Sequence, residues 1–204
     1  MNAPAITTTL PEIGAPFEGG FFAGLIRSEG HTYGLIVAPK QDGEAEELAW
    51  HNDYEDHPGA TSYNDGAANT AYLASIGSPL AQWAVALRID GRDDWYVPAQ
   101  DELEIIYRNL KPTTDKNTRW VRSGINLSAV EPTRPYTLDT PAQTTVPAFA
   151  AGGAEAFESA WYWSSTQYSP GLAWYQYFGV GHQGGVGSGY YEGRARAVRR
   201  LSVI

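Results

Sequence analysis

The chain has 204 residues, of which 43% are hydrophobic and 18% are charged, and a size that supports a single domain. It contains no cysteine, which excludes disulfides, thiolate metal sites and cysteine nucleophiles. The net charge of −9 without a basic stripe argues against nucleic-acid binding, and no apolar run is long enough to insert into a membrane.

The N-terminal third predicts an arm followed by a hairpin. Residues 1–16 are rich in threonine and proline and lack apolar periodicity, so we predict an extended arm, with residues 17–204 forming one domain. The opening residues do not resemble a secretory signal, and we expect synthesis in a host cytoplasm. Two aromatic and β-branched runs, 21–27 and 32–38, flank a four-residue turn that contains glycine and predict a β-hairpin.

Three helical patterns occupy the middle of the chain. Helical spacing appears at 67–76 and again after Ser78 and Pro79, which are suited to the cap and the first turn. A clearer helix is predicted at 99–109, where apolar residues recur at helical spacing. These residues are Leu103, Ile106, Tyr107 and Leu110.

The remainder predicts a long loop and then strands. Residues 111–150 contain five prolines and predict an irregular segment. Alternating aromatic patterns predict strands at 162–166, 173–178 and 196–201, and a glycine-rich turn at 179–189 separates the last two.

Four segments in a fixed order resemble a known family. They are residues 94–103 (DWYVPAQDEL), 149–157 (FAAGGAEAF), 162–166 (YWSST, with Ala173-Trp174 downstream) and 196–200 (RAVRR). Together they are similar to the Lcl C-terminal-domain family of bacterial and phage proteins, over about residues 65–203. The resemblance implies an α+β, C-type-lectin-like fold, in which two helices flank a small twisted antiparallel sheet with a long loop region. In such a fold Trp163 and Trp174 belong to the core, and the closing strand returns beside the N-terminal hairpin.

Several motifs with known chemistry fail on their context. Residues 179–184 match G-x-G-x-x-G, but no helix follows to hold a pyrophosphate. The calcium motif of sugar-binding C-type lectins loses its amide ligand at Thr133, two positions after Glu131. The adjacent acids Asp101 and Glu102 suit a helix start better than acid catalysis. We therefore predict no catalytic residue and no cofactor.

A cluster of possible metal ligands lies at residues 51–57. The segment contains two histidines and three carboxylates within seven positions. Imidazole and carboxylate groups bind divalent metals, but residue types alone do not supply the geometry. We interpret the segment as a solvated acidic loop with no metal, and a metal site remains the alternative.

Polar and aromatic residues in the predicted C-terminal turns suggest a binding face. Tyrosine surrounded by glycine and serine offers rigid contact area at low entropic cost, as in antibody binding sites. The predicted ligand-binding residues are Tyr168, His182, Gln183, Tyr190, Tyr191 and Glu192.

Together with the resemblance, this face predicts a non-enzymatic recognition module. We expect a bacteriophage tail or fibre component in the virion, which contacts other tail proteins and binds a bacterial surface receptor, either protein or glycan. Two alternatives remain: a structural virion or assembly protein that uses the same fold as an interface, and a hydrolase that acts on polysaccharide.

The charge distribution predicts self-association. Residues before Arg88 include two basic and 11 acidic side chains, a charge of −9, whereas the rest is neutral with 12 of each. An acidic face can meet an arginine cluster head-to-tail, so we expect a homo-oligomer, with a trimer favoured. That cluster consists of Arg194, Arg196, Arg199 and Arg200. The alternative is a monomer in which these arginines pair internally with Asp90, Asp93 and Asp94.

Overall fold

Two curled, largely antiparallel sheets and a few short helices form an α+β structure, as predicted. It is a computed structural model that describes residues 10–131, 133–189 and 191–203. The first sheet has the strand order β1-β2-β3-β9. Its strands are β1 (Pro16–Phe17), β2 (Gly20–Ser28), β3 (His31–Val37) and β9 (Val198–Val203).

The predicted N-terminal hairpin is confirmed, with a tighter turn. Strands β2 and β3 pair from Phe21 opposite Val37 to Ser28 opposite His31, so the loop between them has two residues. Its residues Glu29 and Gly30 have φ angles of 50° and 79°. Two consecutive left-handed residues match the twist of the flanking strands, whereas type I and type II turns would splay them.

The second sheet has the strand order β4-β8-β5-β6-β7, and β5 and β8 are joined by one parallel bridge. Its strands are β4 (Glu44–Ala49), β5 (Trp161–Ser169), β6 (Leu172–Tyr177), β7 (Gln183–Gly187) and β8 (Glu192–Arg196). Strand β4 lies in the acidic segment where no strand is predicted. Strand β7 lies within the segment that is predicted as a turn, so that prediction is wrong. Its glycines admit neighbouring rings, since a Cβ on Gly185 would lie 2.5 Å from the ring of Tyr168.

One residue carries the chain from the second sheet to the first. Ala197, between β8 and β9, is fully buried. Its N–H donates to the Gly43 carbonyl at 2.8 Å, and its own carbonyl accepts from the Ala38 N–H at 3.0 Å. The predicted strand at 196–201 is therefore two strands in two sheets. The return of the closing strand to the N-terminal hairpin is confirmed, because β9 pairs with β3.

The predicted helices are confirmed to within one or two residues. They are α2 (Gly66–Ser75), α3 (Pro79–Ala86) and α4 (Gln100–Leu110), preceded by the single turn α1 (Lys40–Gly43) and a 3-10 turn at Pro58–Ala60. The Ser78 side chain caps α3 by accepting from the Ala81 N–H, and Pro79 occupies its first turn. The predicted apolar face of α4 is buried in the main core between the sheets.

The long segment after α4 is irregular, as predicted, and buried acids on α4 hold it. The Glu104 carboxylate accepts from the Asn126 amide at 2.8 Å and from the Tyr136 hydroxyl at 2.9 Å. Asp101 accepts from the Ser128 hydroxyl at 2.7 Å. Burial raises the pKa of both carboxyls, while nearby arginines oppose the rise.

Part of the predicted N-terminal arm belongs to the domain. Ile13 packs against the main core, and the Gly14 N–H donates to the Phe22 carbonyl at 2.7 Å. Residues 10–16 are therefore not a free extension. Residues 1–9 of the predicted arm lie outside the described residues.

The C-terminal arginines all have partners within the chain. The pairs are Arg194–Glu44 (3.1 Å), Arg196–Glu155 (2.6 Å), Arg199–Asp94 (2.7 Å) and Arg200–Asp65 (3.1 Å). Internal pairing of these arginines is what the alternative prediction of a monomer requires. Of the acids named in that prediction, Asp94 is the one found among these partners. Because the arginines already have acidic partners, they do not require an acidic face of a second copy.

Candidate functional site

The predicted binding residues divide between two faces of the second sheet. Trp174 and Tyr175 are consecutive on β6, so their side chains point to opposite faces. The Tyr168 ring centroid lies 4.6 Å from that of Trp174, whereas His182 lies 5.6 Å from Tyr175. Tyr168 and His182 therefore do not contribute to one surface.

Gln183 is not a surface residue, which corrects its prediction as a ligand-binding group. Its side chain is fully buried, and its Oε1 accepts from the Gly124 N–H at 3.2 Å. The residue fastens the long segment to β7. Side chains alternate between the two faces of a strand, and Gln183 pairs with the buried Gln176, so both side chains lie on the inner face of the sheet.

Tyr191 and Glu192 lie at the start of β8. Tyr191 and Glu192 are exposed, and the Tyr191 ring lies 5.9 Å from that of Trp161. Tyr190 lies outside the described residues.

A row of five rings, the aromatic ladder, crosses the Tyr175 face of the sheet. Its members are Trp120, His182, Tyr175, Trp161 and Tyr191. Successive ring centroids are separated by 5.9, 5.6, 5.4 and 5.9 Å. These are the separations of interacting aromatic neighbours, with edge-to-face contacts on both sides of His182 and tilted contacts on both sides of Trp161, so the rings form a contiguous row.

The ladder is open to solvent at both ends. Trp120 is 60% exposed and Tyr191 is 50% exposed, whereas the three central rings are half-buried. Burial lowers the pKa of His182, which favours the neutral imidazole. The ladder therefore presents uncharged aromatic rings to solvent at its two ends.

A small cleft of about 250 Å³ adjoins the ladder at Trp161. Its charged lining residues are Glu46, Glu47, Glu192 and Arg194. The Arg194 guanidinium is held by Glu44 at 3.1 Å and by Glu46 at 3.4 Å. Carboxylate acceptors and guanidinium donors thus stand directly beside an aromatic wall.

Sequence reasoning missed three ladder residues. Trp161 lies two residues before Trp163 on β5, and Tyr175 lies two residues before Tyr177 on β6. Because side chains alternate along a strand, Trp161 and Tyr175 lie on the same face of the sheet, and this could have been predicted from the sequence. Trp120 comes from the long segment, and no local pattern connects it with His182.

Tyr168 belongs to a packed cluster on the opposite face. The Trp174 Nε1–H donates to the Tyr63 hydroxyl at 3.1 Å. The Arg122 guanidinium lies 4.7 Å from the centroid of the Tyr63 ring and forms an ion pair with Asp101 at 2.6 Å. Tyr168 joins this cluster through its ring contact with Trp174, so packing accounts for its position.

The histidines of residues 51–57 are buried, so the interpretation of this segment as a solvated loop is wrong for them. His51 is 6% exposed and His57 is 5% exposed, while Glu55 and Asp56 are exposed as expected. Asp53 lies between the two rings. Burial opposes ionisation of its carboxyl, but the Glu55 N–H and the two imidazoles hold its pKa below the ordinary value.

A further cavity of about 870 Å³ contains none of the predicted residues. It lies between β2, α4 and residues 129–131 and 133–134, and its lining includes Leu10, Phe22 and Ile105. Within the described ranges of the chain, no helix combines the length and the apolar character needed to cross a membrane.

Comparison with known proteins gives a distant likeness. No protein-family model matches the chain, and no curated protein sequence matches it. A crystal structure of a fimbrial protein from Bacteroides ovatus is similar, with 13% sequence identity and a TM-score of 0.45 over 81% of this chain and 35% of that one. The chain thus spans about a third of the length of that fimbrial protein. A likeness this low supports no conclusion about fold or function.

Proposed function

We propose that the chain is a non-enzymatic recognition module that binds a bacterial surface glycan along the aromatic ladder. The observation that carries the proposal is the continuity of the ladder with the charged cleft at Trp161. Stacking surfaces that are joined to a few fixed polar groups are typical of small-ligand sites.

A sugar suits this surface better than the other ligands considered. The C–H faces of a pyranose ring pack on aromatic rings, and its hydroxyls pair with carboxylates and guanidinium groups. Glu192 and Arg194 offer both kinds of partner at the edge of the Trp161 ring. The net charge of −9 disfavours a polyanion such as nucleic acid.

The fold and setting are proposed from the family resemblance. A C-type-lectin-like fold is supported by the helices α2 and α4, by the long segment between α4 and β5, and by the pairing of β9 with the N-terminal hairpin. The setting that we propose is a phage tail or fibre in the virion. A protein receptor remains a second ligand class for the same ladder, since tyrosine and tryptophan also serve protein recognition.

The test compares two half-exposed tyrosines on opposite faces. Tyr191→Ala shortens the ladder, whereas Tyr168→Ala removes a ring of similar exposure, 44% against 50%, from the other face. Binding of the purified chain to bacterial surface polysaccharides is measured by calorimetry, with melting temperatures recorded for both variants. We expect at least a tenfold loss of affinity for Tyr191→Ala and an unchanged affinity for Tyr168→Ala.

Other outcomes would replace the proposal. Equal losses in the two variants would remove the ladder as the binding surface. Appearance of new reducing ends during incubation would indicate a polysaccharide hydrolase. Absence of any binding, with the ladder covered by neighbouring proteins in images of the particle, would indicate a structural virion protein.

A further inference from the structure

A second group of side chains, separate from the aromatic ladder, converges on one point. His51 Nδ1 lies 3.0 Å from Asp53 Oδ2, and His57 Nε2 lies 2.9 Å from Asp53 Oδ1. The two imidazole centroids are 4.4 Å apart. Two ring nitrogens and a carboxylate oxygen therefore lie within 4.8 Å of one another.

The loop that carries these residues is fixed from several sides. The His57 N–H donates to the Gln167 side chain at 2.7 Å, and the amide of Gln167 donates to the Glu55 carbonyl at 2.9 Å. The Ser188 hydroxyl donates to the Asp53 carbonyl at 3.0 Å. The three side chains are thus held in place by β5 and by the turn after β7, as a preformed site requires.

The burial of His51 points to a ligand. Neither of its ring nitrogens has a hydrogen-bond partner among the described residues, although the ring is almost fully buried, and Nδ1 is the nitrogen that faces the convergence point. Burying a polar group without partners is costly, so the ring gains little from this position except its contact with Asp53. A cation at the convergence point would make that position favourable.

We propose that His51, Asp53 and His57 form a binding site for a divalent cation of the Zn²⁺ class, with water as a further ligand. Zinc binds imidazole nitrogen and carboxylate oxygen at about 2.0–2.2 Å, which separates neighbouring ligand atoms by roughly 3.3 Å. The two distances from an imidazole nitrogen to an oxygen of Asp53, 2.9 and 3.0 Å, are close to that value, and the three ligand atoms lie within 4.8 Å of one another. Two nitrogen donors disfavour Ca²⁺ and Mg²⁺, which prefer oxygen ligands.

The site would hold the 50–58 loop in one conformation at the end of the second sheet, because all three ligands come from this loop. Gly171 in the β5–β6 turn donates its N–H to the Glu55 carbonyl at 3.3 Å, so the loop already lies against that turn. A bound ion would add a cross-link that a chain without cysteine cannot obtain from a disulfide. This role does not depend on glycan binding.

The test titrates ZnCl₂ into the tag-free full chain by calorimetry, with CaCl₂ as the comparison ion. Asp53→Asn removes the shared carboxylate, and Asp56→Asn removes an equal charge from an exposed position of the same loop. We expect one Zn²⁺ per chain, at least a tenfold weaker binding for Asp53→Asn, and unchanged binding for Asp56→Asn. A rise of the melting temperature with Zn²⁺, which EDTA reverses, should accompany binding.

A second measurement uses the unmodified chain, so that the proposal can be tested even if Asp53→Asn does not fold. In the unmodified chain, ¹⁵N resonances of His51 and His57 should shift on addition of Zn²⁺, while those of the exposed His31 should not. Failure of the chain to bind Zn²⁺, equal binding by Asp53→Asn, or shifts at His31 instead of the cluster would overturn the proposal.

Discussion

The hydroxyl of Tyr96 donates a buried hydrogen bond of 2.8 Å to the carboxylate of Glu102. The same carboxylate accepts from the Ala99 N–H at 2.7 Å and from the Gly66 N–H at 3.2 Å. Glu102 thereby accepts hydrogen bonds from backbone N–H groups at the start of α4 and at the first residue of α2, which lack partners within their helices. Because it is fully buried, its pKa rises from 4.5 to about 7.

This shift predicts a pH-dependent stability. Between the ordinary pKa of 4.5 and the folded value of about 7, the folded chain binds more protons at Glu102 than the unfolded chain. The stabilising contribution is therefore complete below the lower value and is lost as the pH rises through the upper one, by about 3 kcal/mol in total. Urea unfolding of Glu102→Gln at several pH values should show a reduced slope in this window. The exposed Glu12→Gln should keep the parental slope, and an unchanged slope in both variants would contradict the assignment.

Removal of Glu104 should release the long segment. Glu104→Ala leaves the Asn126 amide, the Tyr136 hydroxyl and the Arg108 guanidinium without their common acceptor. Breaking a buried charged network of this kind costs about 3–5 kcal/mol. We expect faster limited proteolysis within residues 119–139 and a lower melting temperature. Glu47→Ala, which removes an exposed acid, serves as the control. Identical cleavage patterns would show that other contacts order the segment.

Two tryptophans provide a comparison of buried and exposed rings. Trp163 is 1% exposed, and its Nε1–H donates to the Leu48 carbonyl at 2.8 Å. Trp163→Ala should lower the free energy of unfolding by about 3–5 kcal/mol through the cavity it leaves. Trp120→Ala should change it by less than about 0.5 kcal/mol. Chemical denaturation followed by far-UV circular dichroism measures both, and a melting point close to the parent for Trp163→Ala would contradict its burial.

The hairpin turn offers a stabilising change. Glu29 adopts a φ of 50°, a conformation that asparagine accepts more readily than glutamate. Glu29→Asn creates an Asn-Gly turn and should raise the free energy of unfolding by about 0.5 kcal/mol. Gly30→Val places a β-branched residue at a φ of 79° and should lower it by about 1–3 kcal/mol. Equal stability of the two variants would mean that the turn conformation differs in solution.

Local sequence patterns predicted the helices and the hairpin but not the pairing of the strands. The Ser78 cap and the spacing from Leu103 to Leu110 depend on neighbours within a few residues, which a sequence displays directly. Strand β7 depends on rings from β5 and β6 that pack over its glycines, so its own residues resemble a turn. The assignment of β8 and β9 to different sheets depends on contacts with residues 31–49, more than 140 positions away.

The candidate site was predictable to a similar degree. Tyr191, Glu192 and His182 lie at the ladder or its cleft because they flank strands of the second sheet. Gln183 follows His182 directly but faces inward, since successive side chains of a strand alternate. Trp120 reaches the ladder because the long segment is tied to β7 through Gly124 and to Val180 through Thr118.

The passage of the chain through Ala197 also sets an order of events during synthesis. Each sheet gains one of its strands, β8 or β9, on either side of this residue, and both pair with strands formed from the first quarter of the chain. The ribosome must therefore release almost the whole domain before either sheet can close. Until then β3 and β4 present unpaired edges, which can join other chains. Pairing of these two edges within the chain therefore has to wait until Ala197 and its neighbours emerge.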